Sequence, residues 1–174
     1  ATRLKPGTNH YITFAGVDMI ENRNFVVPKL LEVTPVSGAF QIGETVSGFF
    51  GGQNGVDINL CRFRLATPNH KDGPFNQPTV TYNNNPYQAN VGLSSSYSET
   101  STVLNVDTKS LSQKSDPNFG GSPGVVIEGL RLVGETSGAE ATVSQIRLIT
   151  DDVGVVIGCL AIEFFSNGTN TALI

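Results

Sequence analysis

Residues 56–65 read VDINLCRFRL, and this stretch predicts the architecture of the chain. Alternation of apolar and polar residues is typical of a strand with one buried face, because successive side chains point to opposite faces. Here the apolar residues lie first at even positions and then at odd ones, a change of parity between Leu60 and Cys61. They are Val56, Ile58 and Leu60, followed by Cys61, Phe63 and Leu65. One added residue at the change would be a β-bulge, which bends strands where sheets curl into barrels or turn corners. The stretch therefore predicts a strand with a bulge near Leu60.

A second strand shows the same change of parity. Residues 139–148 read AEATVSQIRL, with apolar side chains first at Ala139, Ala141 and Val143 and then at Ile146 and Leu148. A second bulge is expected near Ser144. Two bent strands suit a curved sheet.

The composition also favours β structure. Of the 174 residues, 39% are hydrophobic and 15% charged, with 19 Gly and 9 Pro. Helix-forming Glu, Lys and Met are scarce, whereas Val, Thr, Ile and Phe are plentiful. We predict an all-β fold, with a barrel-like or sandwich core of short antiparallel strands and a long ordered polar arm.

The core is expected from the two ends of the chain, residues 1–66 and 124–174. Within the first segment, Lys29–Val33 predicts a brief strand, because Pro28 and Pro35 bound it closely. Within the second, Val153–Phe165 is apolar on both parities, as in a strand buried on both faces at the centre of the fold.

The arm, residues 67–123, is unusually polar. Asn, Ser, Thr, Pro and Gly make up 33 of its 57 residues. Ordering a residue costs about 1–2 kcal/mol of backbone entropy, and the arm has little apolar area to offset that cost. We expect contacts with the β core, with neighbouring subunits, or with both to hold it, and a short strand near residues 102–107.

Aromatic residues in the arm are the candidate contact residues: Phe75, Tyr82, Tyr87 and Tyr97. Three hypotheses fit them. They dock into a neighbouring subunit, as the few strong contacts of a polar interface do; they stack on sugars; or they attach the arm to its own core.

The chain offers little catalytic chemistry. Its only histidines are His10 and His70, and the HKDG sequence that begins at His70 is typical of a turn. The adjacent Asp151 and Asp152 also fit a turn better than a pair of catalytic or calcium-binding carboxylates. We predict no catalytic residues, no metal site and no cofactor.

Two further features leave alternatives open. Cys61 and Cys159 lie in strand-like runs and are expected to be buried free thiols rather than a disulfide, since two cysteines give no framework of spacings. The sequences GETVSG at 43–48 and GETSG at 134–138 are similar, either through duplication of a hairpin or as two unrelated glycine turns.

The charge pattern excludes some partners. A formal net charge of −4, with no run of Lys or Arg, argues against nucleic-acid binding. No apolar run is long enough for a membrane span, and the N-terminus has no apolar signal core, so we expect a soluble chain. It starts at Ala1 rather than Met, which suggests processing or a longer parent protein.

Several long segments resemble the very large virion structural proteins of tailed bacteriophages, especially cyanophages. The segments are LKPGTNHYITFAGVDMI at 4–20, PKLLEV at 28–33, CRFRLATPNHKDGPFNQPTVTYNNNPY at 61–87, SSSYSETSTVLNVDTKSLS at 94–112 and LVGETSGAEATVSQIRLITDDVGVVIG at 132–158. They occur in the order seen in that family. After Gly158 the chain departs from the family pattern, which usually continues with an aromatic-rich strand and an IP-P turn.

The resemblance implies a virion part of the tail, baseplate or fibre, and it brings no catalytic residues. We therefore expect a non-enzymatic structural subunit of a phage virion or similar extracellular filament, with other copies of itself and other virion proteins as partners. The alternative is an adhesin module that binds host-surface glycans through the arm aromatics. A polysaccharide hydrolase would require two carboxylates facing each other across a cleft, and no pair in the sequence can be placed there.

Overall fold

The computed structural model describes residues 2–11, 13–14, 17–18, 26–51, 55–108, 110, 126–150, 154–156 and 158–160. The described part of the chain is all-β and contains no α-helix, as the composition predicts. Six of its strands form one antiparallel sheet, and the remaining strands form four two-stranded sheets.

The strands of the six-stranded sheet are β5 (Leu30–Ser37), β6 (Thr45–Gly51), β7 (Asp57–Arg64), β10 (Val103–Asn105), β11 (Arg131–Gly134) and β12 (Glu140–Gln145). The short strands are β1 (Asn9–His10), β2 (Thr13–Phe14), β3 (Val17–Asp18), β4 (Val26–Pro28), β8 (His70–Asp72), β9 (Val80–Thr81), β13 (Leu148–Ile149) and β14 (Gly158–Leu160). The short strands pair as β1 with β13, β2 with β3, β4 with β14, and β8 with β9.

Both predicted bulges are confirmed by the strand register. In the β6–β7 pair Gly48 faces Cys61 and Phe49 faces Asn59, so Leu60 is the added residue. In the β5–β12 pair Val33 faces Val143 and Glu32 faces Gln145, so Ser144 is the added residue. Each bulge bends its strand at the point where the apolar side chains change parity.

The six-stranded sheet closes on itself at one point. Its strand order is β10-β5-β12-β11-β6-β7, so β10 and β7 are its edges. Leu65, just after β7, forms an antiparallel bridge with Val106, just after β10. The amide of Ala66 donates to the carbonyl of Asn105 at 2.9 Å, and the amide of Asp107 donates to the carbonyl of Arg64 at 2.9 Å. The core is therefore barrel-like, joined at this bridge.

The interior of the barrel receives side chains from all six strands. Its buried members include Leu31, Val33, Val46, Cys61, Phe63, Leu65, Leu104, Val106, Leu130, Leu132, Ala141 and Val143. Burial of this apolar area is the main stabilising term for the fold. Cys61 is a free thiol within the interior, as expected, and burial raises its pKa to about 12. The side chain of Cys159 lies outside the described residues.

One predicted strand is longer than expected. β5 runs over eight residues and passes through Pro35, which pairs with Ala141 of β12. Proline was expected to end this strand because it has no amide hydrogen to donate. β10, however, pairs only with residues 30–32 of β5. At Pro35, therefore, no described strand pairs with the side of β5 that faces β10. Proline is tolerated at such an edge.

The apolar run Val153–Phe165 was predicted to be one continuous strand. Its described part does not form one. Val155 and Val156 are half-buried and lie outside any strand, and only Gly158–Leu160 is a strand, paired with Val26–Pro28. The other residues of this run lie outside the described part of the chain. The described core is the six-stranded barrel instead.

Gly48 offers a test of the barrel interior. A Cβ atom at this position would lie 2.6 Å from Leu130 Cδ2 and closer still to Cys61 Sγ. We expect Gly48→Ala to lower the free energy of unfolding by about 1–3 kcal/mol, because the packed core must shift to admit the methyl group. Urea unfolding measures the change.

The matched control is Gly51→Ala on the same strand, where no atom lies within 4 Å of the added Cβ. This variant should keep wild-type stability or gain slightly, since alanine has less backbone entropy to lose than glycine. Equal losses in the two variants would contradict the packing described here.

Candidate functional site: the junction of the arm and the barrel

The segment predicted as an arm contributes β10 to the barrel, and the rest of its described part, mainly residues 67–102, lies against the barrel of its own chain. Tyr82 is buried, and it packs with Leu30 of β5 and Val103 of β10 in a second apolar cluster. Tyr87 and Leu93 are partly buried against the same cluster. The arm therefore covers the outer face of the sheet where β5 and β10 pair.

Tyr87 is joined to the barrel by its hydroxyl. It donates to the carbonyl of Leu30 at 2.5 Å, and the guanidinium of Arg147 lies 5.2 Å from the centre of its ring. Arg147 in turn forms an ion pair with Glu32 of β5 at 2.6 Å. Burial raises the pKa of the Tyr87 hydroxyl, and the nearby carboxylate of Glu32 adds to the effect.

Tyr97 joins the arm to the closure of the barrel. Its hydroxyl donates to the carbonyl of Ala66 at 2.6 Å and accepts from the amide of Asn105 at 3.0 Å. Ala66 and Asn105 are themselves hydrogen-bonded to each other beside the Leu65–Val106 bridge. Burial raises the pKa of this hydroxyl as well.

Phe75 packs on a different part of the barrel. The guanidinium of Arg64 lies 4.1 Å from the centre of its ring, a cation–π contact. A Cβ at Gly43, whose φ is +85°, would lie 2.9 Å from the ring, so glycine is required there both for the backbone and for the close approach.

The four candidate residues are thus distributed rather than convergent. Tyr82 and Tyr87 share the second cluster, Tyr97 packs against the main core, and Phe75 lies on Arg64. The hypothesis that they attach the arm to its own core is confirmed for the three tyrosines. Their role in contacts with another subunit or with sugars stays a prediction.

The two similar glycine motifs contact each other, which the sequence did not reveal. The carboxylate of Glu44, from the first motif, accepts from the amide of Ser137 at 3.0 Å and from its hydroxyl at 2.9 Å. The carboxylate of Glu135, from the second, accepts from the hydroxyl of Ser47 at 2.7 Å and pairs with both nitrogens of Arg62. The Arg62 hydrogen bonds lower the pKa of Glu135.

The positions of these motifs do not favour duplication of a hairpin. The first motif leads into β6, at the start of the β6–β7 hairpin, whereas the second lies at the β11–β12 turn. The two motifs form reciprocal Glu–Ser contacts, with charge-assisted hydrogen bonds from Ser137 to Glu44 and from Ser47 to Glu135.

Other carboxylates among the described residues also have structural partners. Asp57 pairs with Arg131, and Asp107 pairs with Arg64 at 2.6 Å. The turn predicted for the HKDG sequence is wrong over most of its length, because His70–Asp72 form β8 and the chain bends only from Gly73 onward; Nε2 of His70 lies 3.0 Å from the carbonyl of Gly73. The described residues contain no group of three or more His, Cys, Asp or Glu side chains that could hold a metal ion. Asp151 and Asp152 lie outside them.

A buried lysine lies beside the closure of the barrel. Lys29 is 4% exposed, and its Nζ donates to the carbonyl of Val106 at 2.8 Å. Desolvation lowers its pKa from 10.5 to about 8, although the carboxylate of Asp107 partly offsets the effect. Desolvation also lowers the pKa of His70, which is buried close enough to feel the charges of Lys29 and Asp107.

Sequence reasoning missed Lys29, although a signal was present. Lys29, Leu31 and Val33 share one parity, and the latter two point into the barrel. A lysine in phase with two core residues indicates a buried amine. Glu44 carried no comparable signal, because its partners lie about 90 residues away in the chain.

Apolar side chains are exposed at the end of one hairpin. We call residues 50–51 and 55–59 the hairpin tip. Phe50 and Ile58 face each other across β6 and β7, and they are 39% and 51% exposed. Val56 is also exposed. Among the described strands, β6 pairs only with β7 at the tip, because the pairing of β11 with β6 ends at Phe49.

Comparisons with protein families, curated proteins and solved structures found no match for this chain. Within the described residues, no helix has the length and apolar character needed to cross a membrane.

Tyr97 offers a test of the attachment of the arm. Tyr97→Phe should lower the free energy of unfolding by about 1–3 kcal/mol, because it leaves the Ala66 carbonyl and the Asn105 amide without the hydroxyl. Urea unfolding checks this. Tyr11→Phe is the control, since Tyr11 is 69% exposed and should change stability by less than about 0.5 kcal/mol. Similar small effects in both variants would contradict the attachment.

Lys29 offers a test through pH. Its folded pKa, about 8, is below the unfolded value, so the cost of burying its charge is fully present below pH 8 and disappears as pH rises to 10.5. Lys29→Met removes this cost together with the Nζ hydrogen bond to Val106, so the stability of the variant relative to wild type should be about 1–3 kcal/mol more favourable at pH 7 than at pH 10.5. Unfolding free energies of both proteins, measured from pH 6 to 11, give the difference.

The control for this measurement is Lys5→Met, because Lys5 is exposed. Its stability should follow that of the wild-type protein at every pH. A stability of Lys29→Met relative to wild type that did not change between pH 8 and 10.5 would contradict a buried amine of lowered pKa.

Proposed function

We propose that this protein is a structural subunit of a phage virion, in the tail, baseplate or fibre, or of a similar extracellular filament, and that it acts by assembly with other copies and other virion proteins. The observation that carries the proposal is the hairpin tip, where the apolar side chains of Phe50, Val56 and Ile58 are exposed together. Exposed apolar groups that lie next to each other mark interaction surfaces, whereas isolated ones need no explanation.

The backbone of the tip supports the same proposal. Over Asp57–Asn59, β7 pairs with β6 on one side, and no strand of the described chain pairs with its other side. Unpaired amides and carbonyls on such an edge can accept another strand. A second copy of this chain would extend the sheet and cover Ile58 and Phe50 in the same step.

The internal contacts of the rest of the molecule also suit a subunit. The barrel is joined at Leu65 and Val106, and the described arm is fixed to it by Tyr87 and Tyr97. A preorganised surface loses little conformational entropy when it associates. The glycan-binding alternative would need aromatic rings in an open groove, and the arm tyrosines are in contact with their own chain.

The oligomeric state tests the proposal. We expect the wild-type protein to form a concentration-dependent oligomer in native mass spectrometry and light scattering. Ile58→Lys should weaken this association at least about tenfold, because it places a charge in the apolar contact. The control is Val80→Lys in the arm, since Val80 is 47% exposed and lies outside the tip.

A wild-type protein that stays monomeric at high concentration would overturn the assembly through this tip. Equal weakening by Ile58→Lys and Val80→Lys would place the contact elsewhere on the molecule. Circular dichroism of both variants confirms that each is folded.

A further inference from the structure

Four buried polar atoms at the junction of the arm and the barrel find no hydrogen-bond partner within the described protein. They are Thr67 Oγ1, Asn69 Oδ1, His70 Nδ1 and Asn105 Oδ1. Thr67, His70 and Asn105 are each more than nine-tenths buried. Buried polar atoms in proteins are nearly always paired with protein groups or ordered water, so four such atoms in one region require an explanation.

The four atoms belong to one locality. Residues 67–70 form a single turn, closed by a hydrogen bond from the amide of His70 to the carbonyl of Thr67 at 2.9 Å. The side-chain amide of Asn105 donates to the carbonyls of Pro68 and His70, at 3.0 and 2.7 Å. The turn of the arm therefore lies directly on Asn105 of the barrel.

The hydrogen-bonding character of these atoms follows from their neighbours. Nδ2 of Asn105 donates to two carbonyls, so its other polar atom must be the oxygen, an acceptor. Nε2 of His70 lies 3.0 Å from the carbonyl of Gly73 and must carry the proton in the neutral ring, so Nδ1 is also an acceptor. Asn69 Oδ1 is a third, and the hydroxyl of Thr67 can both accept and donate.

A donor lies close to these acceptors. Nζ of Lys29 donates to the carbonyl of Val106, the residue after Asn105, and the amine is near enough to His70 to influence its charge. An amine has more hydrogens than this one bond uses. Lys29 thus offers spare donors and the four atoms offer spare acceptors, whereas the carboxylate of Asp107, which also influences Lys29 and His70, is paired with Arg64.

We propose that this junction is an internal hydration site, in which a small group of bound water molecules links Lys29 to the unpaired acceptors of the 67–70 turn and Asn105. Water fits because it both donates and accepts, and buried waters typically make about three hydrogen bonds to such groups. A metal cation fits poorly, because the acceptors are neutral and the Lys29 amine is beside them. The waters are part of what holds the arm to the barrel.

Replacing Thr67 by the isosteric valine tests the site, because the sign of the effect separates the alternatives. If water is bonded to the hydroxyl, Thr67→Val should lower the midpoint of thermal unfolding by about 2–4 °C. If the hydroxyl is unpaired, removing it should raise the midpoint or leave it unchanged, and this result would overturn the proposal.

Thr150→Val is the matched control. Thr150 is buried, and its hydroxyl accepts from the amide of Thr8 at 2.9 Å and donates to the carbonyl of Lys5. Its loss should lower the midpoint, which calibrates the cost of removing a satisfied buried hydroxyl from this protein.

Two measurements identify the occupant directly. Water–protein cross-relaxation in NMR should show long-lived water next to the side-chain amide of Asn105, and its absence would sink the proposal. Unfolding in sodium, potassium, calcium and choline chloride at equal ionic strength should give equal midpoints. A midpoint that rises with one metal ion only would mean that the site holds that ion instead.

Discussion

The bridge between Leu65 and Val106 is the contact on which the rest of the structure depends. It joins the two edge strands of the six-stranded sheet, and two backbone hydrogen bonds flank it. Because it closes the sheet, Leu65 and Val106 can both be fully buried. It also brings Lys29, Asn105 and the start of the arm to one place, since Val106 is hydrogen-bonded to Lys29 through both its amide and its carbonyl.

The fold class could be predicted because it depends on local patterns. An added residue that moves the apolar side chains to the other face leaves a mark in the sequence, and the bulges at Leu60 and Ser144 lie where parity changes. The pairing of Leu65 with Val106 left no such mark, because it joins residues far apart in the chain. The length of β5 was missed for a related reason: whether Pro35 ends a strand depends on which neighbour is beside it.

The candidate site was predicted only in part. The aromatic residues of the arm were recognised, because rings in a polar segment are conspicuous, but their partners are backbone groups of Leu30, Ala66 and Asn105, which carry no signature in the sequence. The burial of Lys29 could have been predicted, because Lys29 alternates in the sequence with the core residues Leu31 and Val33. The reciprocal contacts of Glu44 and Glu135 could not have been, because they depend on the two motifs meeting across β6 and β11.

The thermodynamic question raised by the arm has an answer within the chain. A segment so poor in apolar residues cannot offset its ordering entropy through its own contacts. Its described part is instead held at a few points where a hydroxyl or an amide meets buried backbone, and such hydrogen bonds are costly to lose because the partner would be left unpaired in the interior. The order of this part of the arm therefore does not require a neighbouring subunit. The assembly interface that we propose would then lie where the described chain leaves apolar groups and a strand edge uncovered, and Phe50, Val56 and Ile58 at the hairpin tip meet that condition.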